Sequence, residues 1–306
     1  MNKKVIATVI ISIFIGLVWY LFFKKSDYII TFKEKANSGT ILQGIEEWSL
    51  AQSKIKSHSC EIVDKKLYKS IVTKFISAKD TMLYNWEVSA VNDSVSKVVL
   101  GIRHANTQKS IVNRLEIPFG NTNFKVEALA IVSDFRKGLS EHLQKFKVAY
   151  NGSATSDEVF VVYLPLESVM QEKAQTMIAN DNIISGFIFN NKIKMTGMPY
   201  VEITEWNQQK ELLKFNYCFP VDKNTPMIAD KNVKFKTLKA QKSLKATYFG
   251  NFRTSDRAWF TILNQAKKQN LVLNELPIEH YLNNPFYGGN ELEWKTEVFI
   301  PYRNQN

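Results

Sequence analysis

Cysteine and histidine are scarce in this chain of 306 residues, and neither type is clustered. The two cysteines, Cys60 and Cys218, lie far apart and form no CxxC pair, and the four histidines form no HExxH motif. This spacing supplies neither a disulfide framework nor the ligand set of a structural zinc site. We therefore expect no metal site and no cofactor.

Signatures of common catalytic and nucleic-acid-binding proteins are missing as well. No paired nucleophile and base and no glycine-rich phosphate loop is recognisable, so we predict no catalytic residue and favour a protein that is not an enzyme. No helix-turn-helix pattern, zinc finger or RNP-like aromatic motif occurs either. The sequence therefore predicts no nucleic-acid partner.

Positive charge is in excess, with 40 Lys and Arg residues against 29 Asp and Glu residues and a formal net charge of +11. The stretch KNVKFKTLKAQKSLK (residues 231–245) carries six lysines and no acid. Such a run is typical of a solvated strand edge that lysines protect from pairing. Contact with anionic lipid headgroups is a second interpretation, and nucleic-acid binding is a weaker third.

One long uncharged segment, VIATVIISIFIGLVWYLFF, runs from Val5 to Phe23 over 19 residues. As a helix it would be roughly 28 Å long, enough to cross the hydrocarbon core of a bilayer. Trp19 and Tyr20 near its end suit the membrane interface. The run continues into FFKKSD without a small-residue cleavage site, so residues 1–25 are predicted to be an uncleaved single-pass anchor in the cell membrane. Lysines flank both ends, and the side of the soluble domains stays undetermined.

The first soluble segment, residues 27–150, combines strand-like and helical patterns. Ser38 can cap a helix that carries Ile41, Ile45 and Trp48 on one face. Strand-like runs separated by turn formers follow at residues 67–77, 81–91, 94–104 and 110–119. Apolar residues then recur at three- and four-residue spacing and predict one long amphipathic helix: Phe124, Ala128, Ile131, Phe135, Leu139, Leu143 and Phe146.

The order strand, helix, four strands and long helix suits an antiparallel sheet that curls around a C-terminal helix. With its opening DYIITFKEKANSGTILQGIEEW (residues 27–48), this segment resembles the START-like, polyketide-cyclase-like superfamily, also called SRPBCC. The resemblance implies a helix-grip fold with a deep apolar cavity for a lipid or another hydrophobic molecule. Trp48, Tyr84 and Trp86 either line such a cavity or pack in the core.

The second soluble segment, residues 157–306, carries one pattern twice. MPYVEITEWNQQKELLKFNYCFPV (198–221) and LPIEHYLNNPFYGGNELEWKTEVFIPY (276–302) each show an apolar-proline start, a strand, a polar turn and a second strand that ends near a proline. A strand and a helix precede each copy. The repeated unit strand–helix–strand–strand predicts two modules that bury their faces jointly and leave a cleft between them.

This segment resembles the gyrase-inhibitor-like (GyrI-like) fold, which is also the effector-binding domain of some multidrug-sensing transcription regulators. The matching stretches are YFGNF (248–252), LPIEHYLNNP (276–285) and TEVFIPY (296–302), together with the duplicated unit. The resemblance implies small-molecule binding in an aromatic cleft, with a central acid that contacts cationic or polar groups. It places that acid at Glu297.

Strand alternation supports a special role for Glu297. Val298 and Ile300 share one face of the strand and would pack on the helices, which leaves Glu297 and Phe299 on the other face. A carboxylate there is costly to desolvate without a partner, and this favours a pocket residue over a solvated one. The aromatic ligand-binding candidates around it, each with a core position as its alternative, are Tyr281, Tyr248, Trp259, Tyr200 and Trp206.

Together these patterns predict an α+β protein: an N-terminal transmembrane helix, a helix-grip antiparallel sheet with a long C-terminal helix, and a duplicated strand–helix–strand–strand ligand-binding domain. The favoured function is a membrane-anchored protein that binds a small hydrophobic or cationic amphipathic molecule around Glu297. One alternative is a hydrolase or cyclase in which Glu297 acts as general base and Tyr281 as hydrogen-bond donor. Another alternative is inhibition of a partner protein.

Overall fold

Two compact units make up the chain, Met1–Ser140 and Glu141–Asn306. The computed structural model describes residues 3–54, 58–77, 80–92, 95–210, 212–274, 276–283 and 288–303. Over this part it contains six α-helices and two large antiparallel sheets, one in each unit. The predicted mixed α+β class is therefore confirmed. The helix-grip assignment of the first unit stays a prediction.

An apolar helix opens the first unit. Helix α1 (Lys3–Val18) continues into one π-helical turn, Trp19–Phe23. Within the described residues, Lys4–Phe23 is the helical stretch long and apolar enough to span a membrane, and none of it is buried. A signal sequence near an N-terminus meets the same criterion of length and composition. The polar segment that follows leads directly into the first strand.

The first unit is built on a five-stranded sheet with the order β1-β5-β4-β3-β2, in which all neighbours are antiparallel. Its strands are β1 (Tyr28–Glu34), β2 (His58–Lys66), β3 (Ser70–Ser77), β4 (Thr81–Ala90) and β5 (Ser96–His104). Its further helices are α2 (Ser38–Gln52), α3 (Thr107–Glu116) and α4 (Asn123–Leu143). Every second residue of β4 from Met82 to Val88 is buried, as expected for a strand with one face on a core.

Residues 110–119 form a helix, and the predicted strand at this position is wrong. Helix α3 is followed by a short 3-10 turn, Ile117–Phe119. Asn106 caps α3 by accepting a hydrogen bond from the Lys109 amide at 3.1 Å. Ser110 and Arg114, one helical turn apart, both bond to the buried carboxylate of Asp27. These polar contacts outweigh the strand preference of the β-branched residues in this stretch.

Aromatic rings fill the core of the first unit. Trp48, Phe75, Tyr84, Trp86 and Phe135 form a chain of ring contacts with centroid distances between 5.0 and 6.4 Å. Tyr84 and Trp86 are 0% exposed. Edge and tilted contacts of this kind stabilise cores beyond the area that they bury. Core packing therefore accounts for these rings.

The second unit is built on a larger sheet with the order β10-β7-β9-β8-β13-β14-β11-β6, and β12 pairs with β14. Its strands are β6 (Phe146–Thr155), β7 (Val159–Val169), β8 (Tyr200–Asn207), β9 (Leu212–Pro220), β10 (Lys234–Leu238), β11 (Lys242–Gly250), β12 (Val272–Leu273), β13 (Ile278–Tyr281) and β14 (Lys295–Arg303). Its helices are α5 (Lys173–Asn190) and α6 (Arg257–Lys268). Phe146 starts β6, whereas the sequence pattern extended the preceding helix to it; residues up to 150 pair with β11 and belong to the second sheet.

The element order β7–α5–β8–β9 recurs as β11–α6–β13–β14. The two sets meet where β8 pairs with β13 through three residue pairs. Residues from α5 and α6 pack on the same face of the sheet, here called the helix face. Val201, Val298 and Ile300 belong to it. The opposite face, here called the distal face, carries Tyr200 and Glu297.

Candidate functional site

A fully buried carboxylate, Glu279, stands at the centre of the second unit. Its Oε2 lies 2.6 Å from the Lys173 ammonium and accepts the Tyr281 hydroxyl at 2.7 Å. Its Oε1 accepts the indole N–H of Trp259 at 2.8 Å and the Ser255 hydroxyl at 2.9 Å. Four donors on two oxygens match an ionised carboxylate, which only accepts hydrogen bonds. The charges of Glu279 and Lys173 therefore satisfy each other inside the core.

Three elements position this network. Glu279 and Tyr281 alternate along β13 and so both point to the helix face. Lys173 is the first residue of α5, and its ammonium lies 4.8 Å from the ring centroid of Trp259 on α6. Ser255 precedes α6 and lies 3.0 Å from the same ammonium. The network thus ties the starts of both helices to the central strand.

An open cleft of about 1250 Å³ lies on the helix face next to this network. Its lining comes from α5, from the segment between α5 and β8, from β9, from the 3-10 turn Phe252–Thr254 and from Trp294. Tyr281 also lines it. Because the Tyr281 hydroxyl bonds to Glu279, this side chain connects the cleft to the buried network.

Aromatic rings in ordered contact form much of the cleft wall. Tyr281 stacks on Phe252 with a centroid distance of 4.6 Å and an interplanar angle of 16°. Tyr217 and Phe219 from β9 meet at 4.9 Å. On α5, Phe189 is 83% exposed and faces the same cleft. Rings held in this way offer flat apolar surfaces to a small molecule.

Asp181 on α5 is the carboxylate among the lining residues. It accepts the Tyr217 hydroxyl at 3.0 Å. Burial, reinforced by the nearby Asp181 charge, raises the pKa of Tyr217 above its usual value, so this phenol remains a donor. Lys192 and Arg253 also line the cleft, but both are exposed to solvent, where screening weakens their charge.

Two of the candidate residues, Tyr248 and Trp259, lie in the core, and Trp206 is partly buried against it. Tyr248 and Trp259 are 0% exposed. The Tyr248 hydroxyl bonds to the Asn251 carbonyl at 3.1 Å, and burial raises the pKa of this phenol. Trp206 packs edge-on against Trp259 with a centroid distance of 5.2 Å. Their direct contact with a ligand stays a prediction.

Glu297 and Tyr200 lie on the distal face. Glu297 is opposite His280 in the β13–β14 ladder, whereas Tyr281 is opposite Thr296. The Glu297 carboxylate binds the Lys245 ammonium at 2.7 Å. Tyr200 stacks on His280 with a centroid distance of 3.9 Å, and burial raises its pKa to about 12.

The cleft on the helix face is therefore not lined by Glu297. The alternation that separates Glu297 from Val298 and Ile300 is present as predicted, because both aliphatic side chains are buried against the helices. The catalytic alternative paired Glu297 with Tyr281, and it loses its geometric basis since the two side chains point to opposite faces. A ligand-binding role for Glu297 on the distal face stays a prediction.

Glu279 is the functional candidate that sequence reasoning passed over. In LPIEHYL it lies two residues before Tyr281, so strand alternation puts both on one face. Tyr281 therefore links the cleft that it lines to the buried Glu279. Lys173 and Asp181 carry no comparable signal, because their roles depend on where α5 lands on the sheet.

The first unit has a polar cavity of about 780 Å³. One side is formed by Asp80, His104 and Lys109. The His104 Nδ1 accepts the Asn106 amide at 2.9 Å, so its Nε2 carries the proton and donates to Asp80 at 2.9 Å. Hydrogen bonds from Lys109 and His104 lower the pKa of Asp80. Both ring nitrogens of His104 are thus used in holding the fold. In neither unit does the described part contain three or more His, Cys, Asp or Glu residues grouped to hold a metal ion.

Comparison with solved structures shows relatives of low sequence identity. The C-terminal domain of EcmrR is 14% identical, with a TM-score of 0.43, and the match covers 52% of this chain and 99% of that chain. SAV2435 bound to tetraphenylphosphonium is 16% identical, with a TM-score of 0.36, and the match covers 51% and 94%. No curated protein matches the sequence.

The sequence-based exclusion of a nucleic-acid partner is wrong. The matched chain in a cryo-EM structure of an EcmrR–DNA complex is 15% identical to this chain, with a TM-score of 0.45. The match covers 64% of this chain and 72% of that chain.

The family of the second unit follows from its sequence. Residues 155–303 match the family model described as the GyrI-like small molecule binding domain. This range contains both strand–helix–strand–strand sets, the buried Glu279 network and the aromatic cleft. The sequence-based prediction of a GyrI-like segment is confirmed, and the chain carries a GyrI-like small-molecule-binding domain at residues 155–303.

Proposed function

We propose that the cleft on the helix face binds an aromatic, cationic small molecule. The observation that carries this proposal is the combination of stacked aromatic walls with one partly buried carboxylate, Asp181. Glu279 is not the cation contact in this proposal, because the Lys173 ammonium already neutralises it. Asp181 has a neutral partner, Tyr217, and keeps its negative charge uncompensated by that bond.

Physical chemistry favours such a ligand. A cation over an aromatic face gains about 0.5–2 kcal/mol, depending on how far it is desolvated. A carboxylate at the edge of an apolar wall adds an attraction that bulk water screens only in part. The exposed Lys192 and Arg253 oppose this attraction weakly, since solvent surrounds them. The cleft should therefore bind a cation more tightly than an anion of the same shape.

We further propose that Lys4–Phe23 is a single-pass membrane anchor. Its length and apolar composition support this, and so does Trp19, which is 59% exposed near the end of the span. Lys24 and Lys25 follow directly, where ammonium groups reach the headgroups. The GyrI-like domain would then act at a membrane surface.

Two ions of the same shape and opposite charge test the cleft proposal. Tetraphenylphosphonium and tetraphenylborate are titrated into the full chain in lipid nanodiscs, and titrations into empty nanodiscs are subtracted. We expect Asp181→Asn to weaken phosphonium binding about tenfold, equal to about 1.4 kcal/mol, and to strengthen borate binding. The amide keeps the acceptor for Tyr217 and removes only the charge.

Glu158→Gln is the matched control, because this exposed carboxylate lies outside the cleft and is 3.8 Å from Lys239. It should leave both affinities unchanged. Equal phosphonium affinity in the wild type and in Asp181→Asn would refute the proposed contact. Loss of phosphonium binding in Glu297→Gln instead would place the ligand on the distal face.

A further inference from the structure

Helix α3 carries an exposed apolar stripe. Val112 and Leu115 are 47% and 46% exposed, and Phe119 in the adjoining 3-10 turn is 90% exposed. Their spacing of three and four residues puts all three on one side of the helix. Ser110 and Arg114, which bond to Asp27, lie on the opposite side. Leu115 and Phe119 thus point away from the folded body of the first unit, whereas Val112 also lines its polar cavity.

The same helix is bonded to the last turn of the apolar span. The Arg114 guanidinium donates to the Leu21 carbonyl at 2.6 Å, and the Tyr20 hydroxyl donates to the Arg114 carbonyl at 3.0 Å. Arg114 also forms a buried ion pair with Asp27 at 2.7 Å. A helix held at both Tyr20 and Leu21 has no freedom to swing away from the span.

These bonds fix the depth of α3. Leu21 lies two residues before the end of the span at Phe23, which corresponds to about 3 Å along a helix axis. Asp27 lies beyond the span, on the side of the folded unit. The Arg114 side chain reaches both Leu21 and Asp27, so the opposite side of α3 faces away from the span and from the folded unit, at the depth of Leu21.

We infer that α3 lies in the interface of the bilayer, with Leu115 and Phe119 inserted at the boundary between headgroups and acyl chains. The occupant of this surface is the lipid bilayer, because the stripe is held at the depth of a span that ends in Trp19, Tyr20 and two lysines. Interfacial helices bury their apolar face about 5–10 Å into that boundary. Burial of Phe119 removes the most exposed ring of the first unit from water.

This inference rests on the proposed anchor, and spin labels on the full chain in liposomes separate the two. Single cysteines replace Phe119, Leu115, Ile13 in the middle of the span, and Val91. Val91 lies in the turn beside the start of β5, about 30 Å from His104 by the length of that strand. The His104 amide bonds to Asp27 near the anchor, so Val91 marks the far end of the unit.

Accessibility to oxygen and to a water-soluble nickel chelate reports the position of each label. We expect the oxygen-to-nickel ratio at Phe119→Cys and Leu115→Cys to be severalfold higher than at Val91→Cys and to approach that at Ile13→Cys. The native Cys60 and Cys218 are buried, and the unsubstituted chain gives the background signal.

Each other result overturns the inference in a recognisable way. A lipid-exposed label at Ile13→Cys with a water-exposed label at Phe119→Cys refutes the interfacial helix and keeps the anchor. A water-exposed label at Ile13→Cys refutes the anchor and the interfacial helix together. Dipolar broadening between labels at Phe119→Cys on two chains shows that a second copy covers the stripe and refutes the lipid contact.

Discussion

Both members of the Lys173–Glu279 ion pair are completely buried, so each charge depends on the other for its solvation. Removing one member of such a pair leaves an uncompensated charge in a medium of low polarity. The three neutral donors around Glu279 cannot replace the lost cation. At the scale of single residues, this pair is the point where the second unit is most sensitive to substitution.

Lys173→Met is expected to lower the free energy of unfolding by about 3–5 kcal/mol. Lys214→Met is the matched control, because Lys214 and Glu205 form an exposed pair with both side chains more than half exposed. Its loss should have a much smaller effect, because solvent screens an exposed pair. Chemical denaturation followed by circular dichroism measures both values, and equal effects would contradict the importance assigned to burial.

Single residues of the sequence predicted part of the site. Tyr281 lines the cleft, and Glu297 lies on the face opposite Val298 and Ile300; a ligand contact of either residue stays a prediction. The sequence did not predict which face of the sheet carries the cleft. Alternation assigns residues to two faces, but it does not determine which face the helices leave open. The sequence could not predict Asp181 either, because this residue lines the cleft only when α5 is packed on the sheet.

Helix α3 illustrates how an element depends on both a local signal and a distant partner. Asn106 and Asn37 cap α3 and α2 in the same way, each accepting an amide three residues further on. The Asn106 cap was present in the sequence, but the β-branched residues after it suggested a strand. The deciding partner, Asp27, lies more than 80 residues away from Ser110 and Arg114 in the chain.

Asn106→Ala is expected to lower the free energy of unfolding by about 1 kcal/mol, because the first turn of α3 loses its acceptor. Asn106→Asp keeps an acceptor and adds a negative charge at the positive end of the helix, so its effect should be near zero. Thermal unfolding of the two variants in parallel measures the difference. An aspartate as destabilising as the alanine would show that the cap does not hold α3.

We expect acid to lower the free energy of unfolding already at pH values higher than those at which ordinary carboxylates titrate. Burial and the neighbouring Arg257 lower the pKa of His142 to about 4, and burial lowers the pKa of His280. Both are therefore neutral in the folded chain, while the unfolded histidine has a pKa of about 6.5. As the pH falls below that value, protons bind the unfolded chain first, so stability declines between pH 6.5 and 4.

The free energy of unfolding at pH 5 should be lower than at pH 7, with His142 contributing on the order of 1 kcal/mol after allowance for solvent screening. His142→Gln keeps an acceptor for the Arg257 Nε, which lies 3.3 Å from the His142 Nε2. This variant, combined with His280→Gln, should flatten the profile between pH 7 and 5. Denaturation curves at both pH values measure the free energy of unfolding. An unchanged dependence of this free energy on pH in the double variant would contradict the role assigned to the two histidines.

At the scale of the molecule, the sequence was most informative where it repeats itself. Two copies of one strand–helix–strand–strand pattern predicted a jointly buried sheet, and residues 155–303 match the GyrI-like model. The first unit repeats nothing, so its assignment rested on the order of its elements. One of those elements, at residues 110–119, was mistaken for a strand, and the helix-grip assignment has no independent support.

The bonds between Arg114, Leu21 and Asp27 leave no loose tether between the apolar span and the first unit. A domain on a flexible tether tumbles and presents every side to its surroundings in turn. If the span crosses a bilayer as proposed, the unit keeps one orientation to the membrane, and its motion reduces to lateral diffusion and rotation about the bilayer normal. A neighbour embedded in that bilayer would then always meet the membrane-proximal rim of this unit.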